Sequence, residues 1–439
     1  MSSSATEYVS TEVSLNSRHM RRILASSFLG STIEYYDFLL YATAAAVVFN
    51  KVFFTNLGPE MATFASFATL AVGYVSRPLG GVIFGHFGDR VGRKTVLVVS
   101  MMMMGAATVS IGLLPTTAQI GVLAPILLIL LRIVQGISQG GEWGGAMLIA
   151  LEHAPGGKRG FAASFANMGA PAGAILATLA VSAVSVLPGD QFQAWGWRLP
   201  FLFSIVLVAI GLVIRLKVSE SPVFKKFEAQ AESRKLPVVE LFARHSKSLL
   251  LGTLAGVSLF GMAGIVTVWA VSFSVANGAD VTGVLNAKAG AAAVMLITTI
   301  ISARLCDVYG RKPVMMSGVI GMVLFAYPLL LLVQGGTVVG FLVAVMVGQA
   351  LQGVVVGPFA AFAAELFPTR VRYTGASLCF QTASTIGIGF APAVASALVL
   401  AGDGSITILA VTWTLVLFVS LGAIILTKEG KSRNLAELT

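Results

Sequence analysis

Three ionisable residues occur inside long apolar runs, where a charge is costly to bury. Glu34 and Asp37 stand in "LGSTIEYYDFLLYATAAAVV", and Arg77 stands in "ATLAVGYVSRPLGGVIF". Burial and a neighbouring acid favour the protonated form of a carboxyl group, and an approaching arginine favours the ionised form. We therefore expect Glu34 or Asp37 to carry a proton, with Arg77 as its partner. The structural alternative is a permanently ionised network that only holds helices together.

The run "LRIVQGISQGGEWGGA" adds two more charges, Arg132 and Glu142. Glu142 lies at about the same depth as Glu34 and Arg77 when each run is counted as a helix from its basic flank. Arg132, Gln135, Gln139 and Trp143 fall on one stripe of such a helix, at spacings of three and four residues. The residues predicted from their depth to couple protons are therefore Glu34, Asp37, Arg77 and Glu142, and Arg132 lies ten residues further outward on the same run as Glu142. For Arg132 a purely structural role is the alternative.

A substrate site is expected at the same depth in the membrane as these charged residues. The guanidinium group of Arg77 also suits a substrate carboxylate, which it can bind through two parallel hydrogen bonds. The second half of the chain offers polar rather than charged side chains. The substrate-binding candidates are Arg77, Tyr36, Gln135, Gln139, Trp143, Trp269, Gln352 and Gln381.

The stretch "GHFGDRVGRK", residues 85–94, concentrates charge between two apolar runs, and "RLCDVYGRK", residues 304–312, nearly repeats it. We expect Asp89 to accept the free amide hydrogens of the helix that follows it. The basic residues would pair with acids on neighbouring helix ends and latch the two halves together. The alternative is a positively charged anchor without a conformational role. The latch candidates are Gly85, Asp89, Arg90, Gly92, Arg93, Lys94, Asp307, Arg311, Glu152, Arg159, Glu365 and Arg372.

Composition predicts the elements that position these groups. The chain has 439 residues, of which 56% are hydrophobic and 11% charged, and its mean hydropathy is +0.88. A soluble protein needs far more charge than this, whereas about 20 apolar residues cross a bilayer as a helix. An all-α polytopic membrane protein with twelve spans is therefore expected. The spans are 23–49, 62–86, 95–115, 121–150, 160–187, 197–217, 248–275, 284–306, 313–334, 337–363, 373–400 and 404–427.

Basic residues indicate the orientation, because loops rich in Lys and Arg stay in the cytoplasm. With the N-terminus inside, all but five of the 29 basic residues fall on the cytoplasmic side, and Arg215 is counted there as a loop residue. The five others are Lys51, Arg77, Arg132, Arg198 and Lys288. No cleaved signal peptide is expected, and both termini are predicted to be cytoplasmic. The net charge of +10 then reflects topology and anionic lipid headgroups rather than nucleic acid.

Three motifs recur in the same order in the two halves of the chain. "GDRVGRK" recurs as "CDVYGRK", "LQGVVVGP" echoes "VQGISQGG", and "ELFPTRVR" echoes "EHAPGGKR". The second "CDVYGRK" copy is degenerate, with Val308 in place of Arg90, so a latch role is less expected there. Duplication predicts an N-terminal tail at 1–22, six-helix bundles at 23–217 and 248–427, a linker at 218–247 and a tail at 428–439. "PVVELFARH" in the linker is expected to form a short helix on the membrane surface.

The pattern Gly85-x3-Asp89-Arg90-x-Gly92-Arg93-Lys94 resembles the signature loop of the major facilitator superfamily. With "GSTIEYYDFLLYATAAAVVFN", "LRIVQGISQGGEWGGA" and "WGWRLPFLFSIVLV", the whole chain resembles the metabolite:proton symporters, and its N-terminal half is most similar to bacterial shikimate permeases. The resemblance implies alternating access and uptake of a small carboxylate or zwitterion with protons across a bacterial cell membrane. It also implies that the loop acts as a latch and that Arg132 serves proton coupling.

Two other transport functions use the same fold. A proline or betaine symporter is one alternative, and a drug:proton antiporter is the other. Gly160, Gly169 and Gly173 partly match the antiporter pattern, but Ala174 stands where that pattern has proline. An enzyme is not expected, because the chain shows no nucleophile with a nearby base and no phosphate-binding loop.

Cofactors and metals are not expected either. The cysteines, Cys306 and Cys379, suit neither a disulfide framework nor a metal cluster, and the four histidines lack ligand partners at useful spacing. The proton is the one expected coupling ion. The expected partners are a small-molecule substrate and the lipid bilayer, and the chain is expected to function as a monomer.

Overall fold

The fold is helical throughout the part of the chain that the structure describes, residues 18–431 without 156, 189–190, 219 and 221–236. In this computed structural model, twelve long helices follow one another, and we number them α1–α12. They are α1 (Arg18–Ala44), α2 (Pro59–Gly88), α3 (Arg93–Leu113), α4 (Leu123–His153), α5 (Arg159–Ser185), α6 (Phe192–Leu216), α7 (Ser246–Ala276), α8 (Val281–Tyr309), α9 (Arg311–Gln334), α10 (Val338–Glu365), α11 (Arg372–Ala401) and α12 (Thr407–Leu426).

Ten described helices, α3 to α12, are long and apolar enough to cross a membrane. The helix α1 is as long but carries Glu34 and Asp37 as well as the arginines of its first turns. It begins at Arg18, within the segment predicted as a tail, and continues through a π-helical turn at Ala45–Phe49. The expectation of an all-α polytopic fold is confirmed, and the twelve long helices agree in number and order with the twelve predicted spans. Most helix ends lie within a few residues of the predicted bounds.

The hairpins between α2 and α3 and between α8 and α9 end on glycines with a left-handed backbone. Gly92 has φ 114° and Gly310 has φ 107°, values that residues with a Cβ adopt only with strain. Each glycine precedes the first residue of a helix, Arg93 or Arg311. We call the end of the bundle that carries both hairpins the basic end.

The two halves of the chain meet along two seams. The helix α2 packs against α11, and α5 packs against α8 and α10. On the first seam Trp143 of α4 stacks on Phe380 of α11, with ring centroids 3.8 Å apart. On the second, Asn167 of α5 donates from Nδ2 to the carbonyl of Val356 on α10 at 3.0 Å. Side chains on these seams are therefore placed between the halves.

The predicted linker helix is present at Pro237–Arg244. Its Leu241 is buried with Phe367, Val371, Leu378 and Cys379, and Phe242 is 53% exposed. One face of this helix thus packs on the basic end and the other faces outward. Residues 219 and 221–236 of the predicted linker, and most of both predicted tails, lie outside the described residues.

Candidate functional site

Asp37 lies in a pocket of hydroxyl groups inside the first half. It is 1% exposed. Its Oδ1 accepts a hydrogen bond from Ser204 Oγ of α6 at 2.6 Å, and its Oδ2 accepts one from Thr108 Oγ1 of α3 at 3.0 Å. Both carboxylate oxygens therefore have neutral donors, and among the described residues no cation is within ion-pair distance of Asp37.

Glu34 faces a different set of helices, although it is one helical turn from Asp37. It lies beside Gln139 of α4 and within electrostatic reach of Arg77 of α2 and Arg215 of α6. Neither arginine forms an ion pair with it among the described contacts, and its Oε2 is buried without a hydrogen-bond partner. The two acids thus do not act on each other as the sequence suggested; each has its own surroundings.

Arg77 and Arg132 share one aromatic ring. The guanidinium carbon of Arg77 lies 4.2 Å from the ring centre of Phe38, and that of Arg132 lies 4.5 Å from the same centre. Tyr74 contacts Arg77 at 4.1 Å and Tyr41 contacts Arg132 at 4.1 Å. Aromatic faces attract cations but accept no strong hydrogen bonds, and Nε and Nη2 of both arginines are buried without an acceptor.

A chain of hydrogen bonds leads from Arg132 to Asp37. Arg132 Nη1 donates to Gln135 Oε1 at 3.1 Å, and Gln135 Nε2 donates to Thr108 Oγ1 at 2.8 Å. Thr108 in turn donates to Asp37. Gln135 thus connects a buried cation with a buried acid, rather than lining an open surface.

Glu142 pairs with an arginine outside the predicted set of charges. It forms a buried bidentate ion pair with Arg215, through both guanidinium Nη groups, and Ser100 Oγ donates to it at 3.2 Å. Arg215 is 3% exposed, because α6 continues to Leu216 and carries this residue inside the bundle. The interpretation of Arg215 as a loop residue was therefore wrong, since a basic residue at the end of a span can turn inward to an acid on the next helix.

Three glutamine side chains bring partnerless amide atoms to the seam between the halves. Gln381 of α11 donates from Nε2 to the carbonyl of Gln139 at 3.2 Å. Gln139 Nε2, Gln381 Oε1 and Gln352 Oε1 have no hydrogen-bond partner. Gln352 lies one turn before Val356, whose carbonyl meets α5, and therefore on the face of α10 that is turned to the first half.

Tyr36 and Trp269, two substrate-binding candidates, lie elsewhere. Tyr36 donates from its hydroxyl to the carbonyl of Pro200 at 2.7 Å and packs in the aromatic core within the first half. Trp269 stacks on Phe273 with ring centroids 4.7 Å apart, in its own helix. Trp143 does lie at the seam, but its Nε1 already donates to Asn167 at 2.7 Å. An amphipathic stripe alone does not distinguish these environments.

Asp89 caps a helix of the opposite half, not the one that follows it. Its carboxylate accepts from the backbone N–H groups of Tyr373 at 3.2 Å and Thr374 at 3.0 Å, at the start of α11, and from Thr374 Oγ1 at 2.8 Å. The N-cap of α3 is Gly92, which has no side chain. The expected cap on α3 was wrong, because the tight turn at Gly92 points Asp89 across the seam.

The second copy of the motif makes the equivalent contact in the opposite direction, from the second half of the chain to the first. Asp307 accepts from the N–H groups of Gly160 at 2.8 Å and Phe161 at 2.9 Å, at the start of α5. Asp307 and Arg311 make this contact although the copy is degenerate, because Val308, where the first copy has Arg90, points outward with 62% exposure. Asp89 and Asp307 thus tie each half to a helix start of the other.

Arginines complete both contacts. Arg93 lies 3.6 Å from Asp89 and 3.7 Å from Glu152, and Arg372 of the other half lies 3.4 Å from Glu152. In the second copy Arg311 pairs with Asp307 and with Glu365, each at 3.0 Å. Arg159 lies within electrostatic reach of Glu365, and half-buried Arg90 lies near His86. Gly85 packs its backbone against Thr374. We call these two networks the basic-end latches.

Two acids at the basic end were missed by the sequence analysis. Glu220, after α6, accepts from the N–H group of Lys94 at 3.0 Å. Glu429, after α12, accepts from the N–H groups of Arg311 and Lys312, each at 3.0 Å. These acids cap α3 and α9, whose own N-cap residues, Gly92 and Gly310, have no side chain. The sequence shows the repeat of Lys94 and Lys312, but it does not predict the acids, because they lie far along the chain from the helices they cap.

The described residues contain no group of three His, Cys, Asp or Glu side chains that could hold a metal ion. The partnerless atoms at the seam are instead amide and guanidinium groups, which are donors and acceptors for an organic molecule with oxygen atoms. The geometry therefore favours a small polar ligand between the halves.

Comparison with known proteins agrees with this architecture. The Major Facilitator Superfamily model matches residues 27–392. The chain is 41% identical to the inner membrane metabolite transport protein YhjE of Escherichia coli over 87% of its length and 88% of that protein. It is 40% identical to the shikimate transporter of Escherichia coli over 88% of its length and 90% of that protein.

Among solved structures, the proton:xylose symporter XylE bound to 6-bromo-6-deoxy-D-glucose superposes with a TM-score of 0.77 at 17% identity, over 96% of this chain and 98% of that one. The fold, the repeated latches and the relatives lead to one conclusion. The chain is a multi-pass membrane transport protein, not an enzyme, and it belongs to the major facilitator superfamily.

Proposed function

We propose that this protein is a secondary active transporter that takes up a small organic acid together with protons. The observation that carries this proposal is the pair of buried arginines, Arg77 and Arg132, whose Nε and Nη2 groups have no hydrogen-bond acceptor among the described residues. Buried guanidinium groups need acceptors, and a carboxylate offers them in matching planar geometry. A carboxylate substrate would satisfy both arginines.

The location of the arginine pair supports a transported ligand. Tyr74, which contacts Arg77, accepts a hydrogen bond through its carbonyl from Thr385 Oγ1 of α11 at 2.9 Å. The pair is therefore next to the seam with the second half, where Gln381 and Gln352 present partnerless carbonyl oxygens. These oxygens would accept hydrogen bonds from substrate hydroxyl groups. The substrate we favour is thus a hydroxylated carboxylate such as shikimate, or a small dicarboxylate.

Two buried acids support proton coupling. Glu34 faces Arg77 without pairing with it, so a substrate carboxylate and Glu34 would compete for the same cation. Protonation of Glu34 would leave Arg77 to the substrate, and binding of proton and anion would reinforce each other. Asp37, joined to Arg132 through Thr108 and Gln135, would couple the second arginine in the same way.

The basic-end latches join the helices that would have to separate during transport. They tie α2 to α11 and α5 to α8 at one end of the bundle, so opening of that end requires both to break. We propose that the basic end faces the cytoplasm of a bacterial cell, with both termini on that side, because cytoplasmic loops carry most Lys and Arg. Alternating access would then proceed by rocking of the two halves about the central site.

Relatives support a metabolite but differ in substrate. The shikimate transporter of Escherichia coli is 40% identical to the chain, and the glycine betaine/proline/ectoine/pipecolic acid transporter OusA of Dickeya dadantii is 32% identical over 87% of the chain. The arginine pair favours the acid, because a zwitterion would bring a cation as well. Proton:xylose symport by a protein of the same fold is compatible with proton coupling.

Uptake into proteoliposomes tests this function. We expect one of labelled shikimate, oxoglutarate or citrate to accumulate when the outside is made more acidic, and proline and betaine not to. Arg77→Gln and Arg132→Gln should abolish this uptake, whereas Arg304→Gln, a matched change at an exposed arginine, should leave it intact. Accumulation of betaine or proline by the wild type, or full acid uptake by both site variants, would contradict the proposal.

A further inference from the structure

Arg215 holds Glu142 but has hydrogen-bonding capacity to spare. Its Nη1 donates to the carbonyl of Leu97 at 2.6 Å and to Glu142 Oε2 at 2.9 Å, and its Nη2 bonds Glu142 Oε1. Its Nε is buried and has no acceptor. The two Nη groups of Arg215 thus join α6 to Glu142 of α4, and the Nε–H donor is left unused.

The guanidinium group also lies directly on α1, one turn from Glu34. A Cβ added at Gly30 would collide with the Nη2, Cζ and Nε atoms of Arg215. Gly30 and Glu34 are four residues apart and therefore lie on the same face of α1. The charge of Arg215 acts electrostatically on Glu34, and Oε2 of Glu34 has no hydrogen-bond partner. A partnerless acceptor on Glu34 and a partnerless donor on Arg215 are therefore close neighbours inside the bundle.

We infer that Arg215 is a positioning residue shared by two carboxylates, Glu142 and Glu34. When Glu34 carries a proton it is neutral, and Arg215 pairs with Glu142 alone, as in the structure. When Glu34 releases its proton, Arg215 turns toward it while keeping Glu142, and together with Arg77 it stabilises the ionised carboxylate so that the proton can leave. The inference rests on the proposed proton-coupled transport and names a second cation that serves its proton carrier.

Few other charges act at this position. Among the described residues, Arg77 faces Glu34 from α2, Gln139 from α4 and Arg215 from α6, and Tyr35 is the neighbour on its own helix. Tyr373 of α11 lies near Arg215. The helix α5, which packs along α1, has no ionisable side chain after Arg159. Arg77 and Arg215 are therefore the two cations available to Glu34, and the substrate competes for only the first.

A purely structural ion pair makes a different prediction. If Arg215 only clamps α4 to α6, replacing both partners by neutral groups of similar shape is tolerated, because no uncompensated charge is left behind. If Arg215 also serves Glu34, the neutral double variant Glu142→Gln/Arg215→Gln folds but loses proton coupling. The double variant thus separates the two roles, whereas either single change would leave a buried charge unpaired.

The experiment measures two activities of the full-length protein in proteoliposomes. One is accumulation of the acid, identified in the uptake screen, under an imposed pH gradient; the other is exchange of labelled for unlabelled acid at equal pH. We expect Glu142→Gln/Arg215→Gln to keep exchange within about twofold and to lose about tenfold or more in accumulation, since an arginine near an acid changes its proton occupancy by that much. Accumulation equal to that of the wild type would overturn the inference.

A second variant keeps the test decisive if the double variant does not fold. Gly30→Ala places a methyl group against the guanidinium of Arg215, and Gly422→Ala is the matched control, because a Cβ there meets no atom within 4 Å. We expect Gly30→Ala to lose accumulation while it keeps exchange, and Gly422→Ala to keep both. Normal accumulation by Gly30→Ala would contradict the inference. A wild type without pH-driven accumulation would instead refute the proposed function itself.

Discussion

The ring of Phe38 lies between guanidinium groups of two neighbouring helices, and neither group forms an ion pair among the described residues. Arg77 and Arg132 lie 4.2 Å and 4.5 Å from the centre of its ring. Two cations of like charge in an apolar surrounding repel each other and lose hydration. Aromatic contacts offset part of this cost. The arrangement is therefore best explained by a ligand that brings negative charge to both.

Replacing an arginine by lysine keeps the charge and removes the planar fork. We expect Arg77→Lys and Arg132→Lys each to raise the KM for the transported acid about tenfold or more, because a charge-assisted hydrogen bond contributes about 1.5–3 kcal/mol. Arg304→Lys serves as the matched control at an exposed site. Initial rates over a range of acid concentrations give the KM. An unchanged KM in both site variants would show that these arginines do not bind the substrate.

At the scale of elements, each half of the protein caps a helix of the other half. Asp89 accepts the first N–H groups of α11, and Asp307 accepts those of α5. Free N–H groups and the helix dipole both favour a negative charge at these positions. In the proposed transport cycle the capping groups would leave their partners as the basic end opens, so we expect the latches to stabilise the closed basic end specifically.

Weakening a latch should open the basic end more often. We expect Asp89→Asn and Asp307→Asn each to cost about 1–2 kcal/mol of the closed state, which is a factor of about 5–30 in population. The buried thiols of Cys306 and Cys379 report the opening, because Cys306 packs against Gly160 at the α5 seam. Alkylation by a water-soluble maleimide should speed up accordingly.

The control for the latch variants is Asp403→Asn, at an exposed position in the loop between α11 and α12. It removes the same charge from a carboxylate outside the latches and should leave the thiols as protected as in the wild type. Equal alkylation rates in Asp403→Asn, Asp89→Asn and Asp307→Asn would contradict the role assigned to the latches.

The tail residue Glu429 stabilises the start of α9. Partial burial acts to raise the pKa of Glu429, but backbone N–H donors, first among them that of Arg311, hold this pKa below its usual value. A lowered carboxyl pKa means that the cap is present above the ordinary value and is lost as the pH falls through the lowered one. We expect Glu429→Ala to expose the amides of Arg311 and Lys312, with hydrogen exchange faster by about fivefold for a cap of about 1 kcal/mol.

Two comparisons check the cap at Glu429. Glu240→Ala on the linker helix should leave exchange at α9 unchanged. In the wild type, protection of the same two amides, corrected for intrinsic exchange, should fall as the pH drops below the ordinary carboxyl range and through the lowered pKa of Glu429. Protection that is independent of both Glu429 and pH would show that the tail does not cap α9.

At the scale of the whole molecule, the fold follows from hydropathy and from the repeat. Each apolar run became a helix because a helix satisfies its backbone within the bilayer, and the glycine at each hairpin marks the turn. Hydropathy and the repeat did not predict which residues pair across the seams. Asp89 caps α11 rather than α3, and Arg215 enters the bundle, because helix rotation and the last helical turn decide where a side chain points. These features need three-dimensional packing and leave no trace in local sequence.

The central claim is that a buried acid and an arginine pair make the protein move an organic anion and protons in the same direction. Its most direct test is to add the transported acid outside proteoliposomes at equal pH on both sides, and to follow the pH inside with a trapped dye. We predict that the interior becomes more acidic as the acid enters, and that Glu34→Gln/Asp37→Asn loses this proton movement while it still exchanges labelled acid. Protons moving outward as the acid enters, or an unchanged signal in the double variant, would contradict the account.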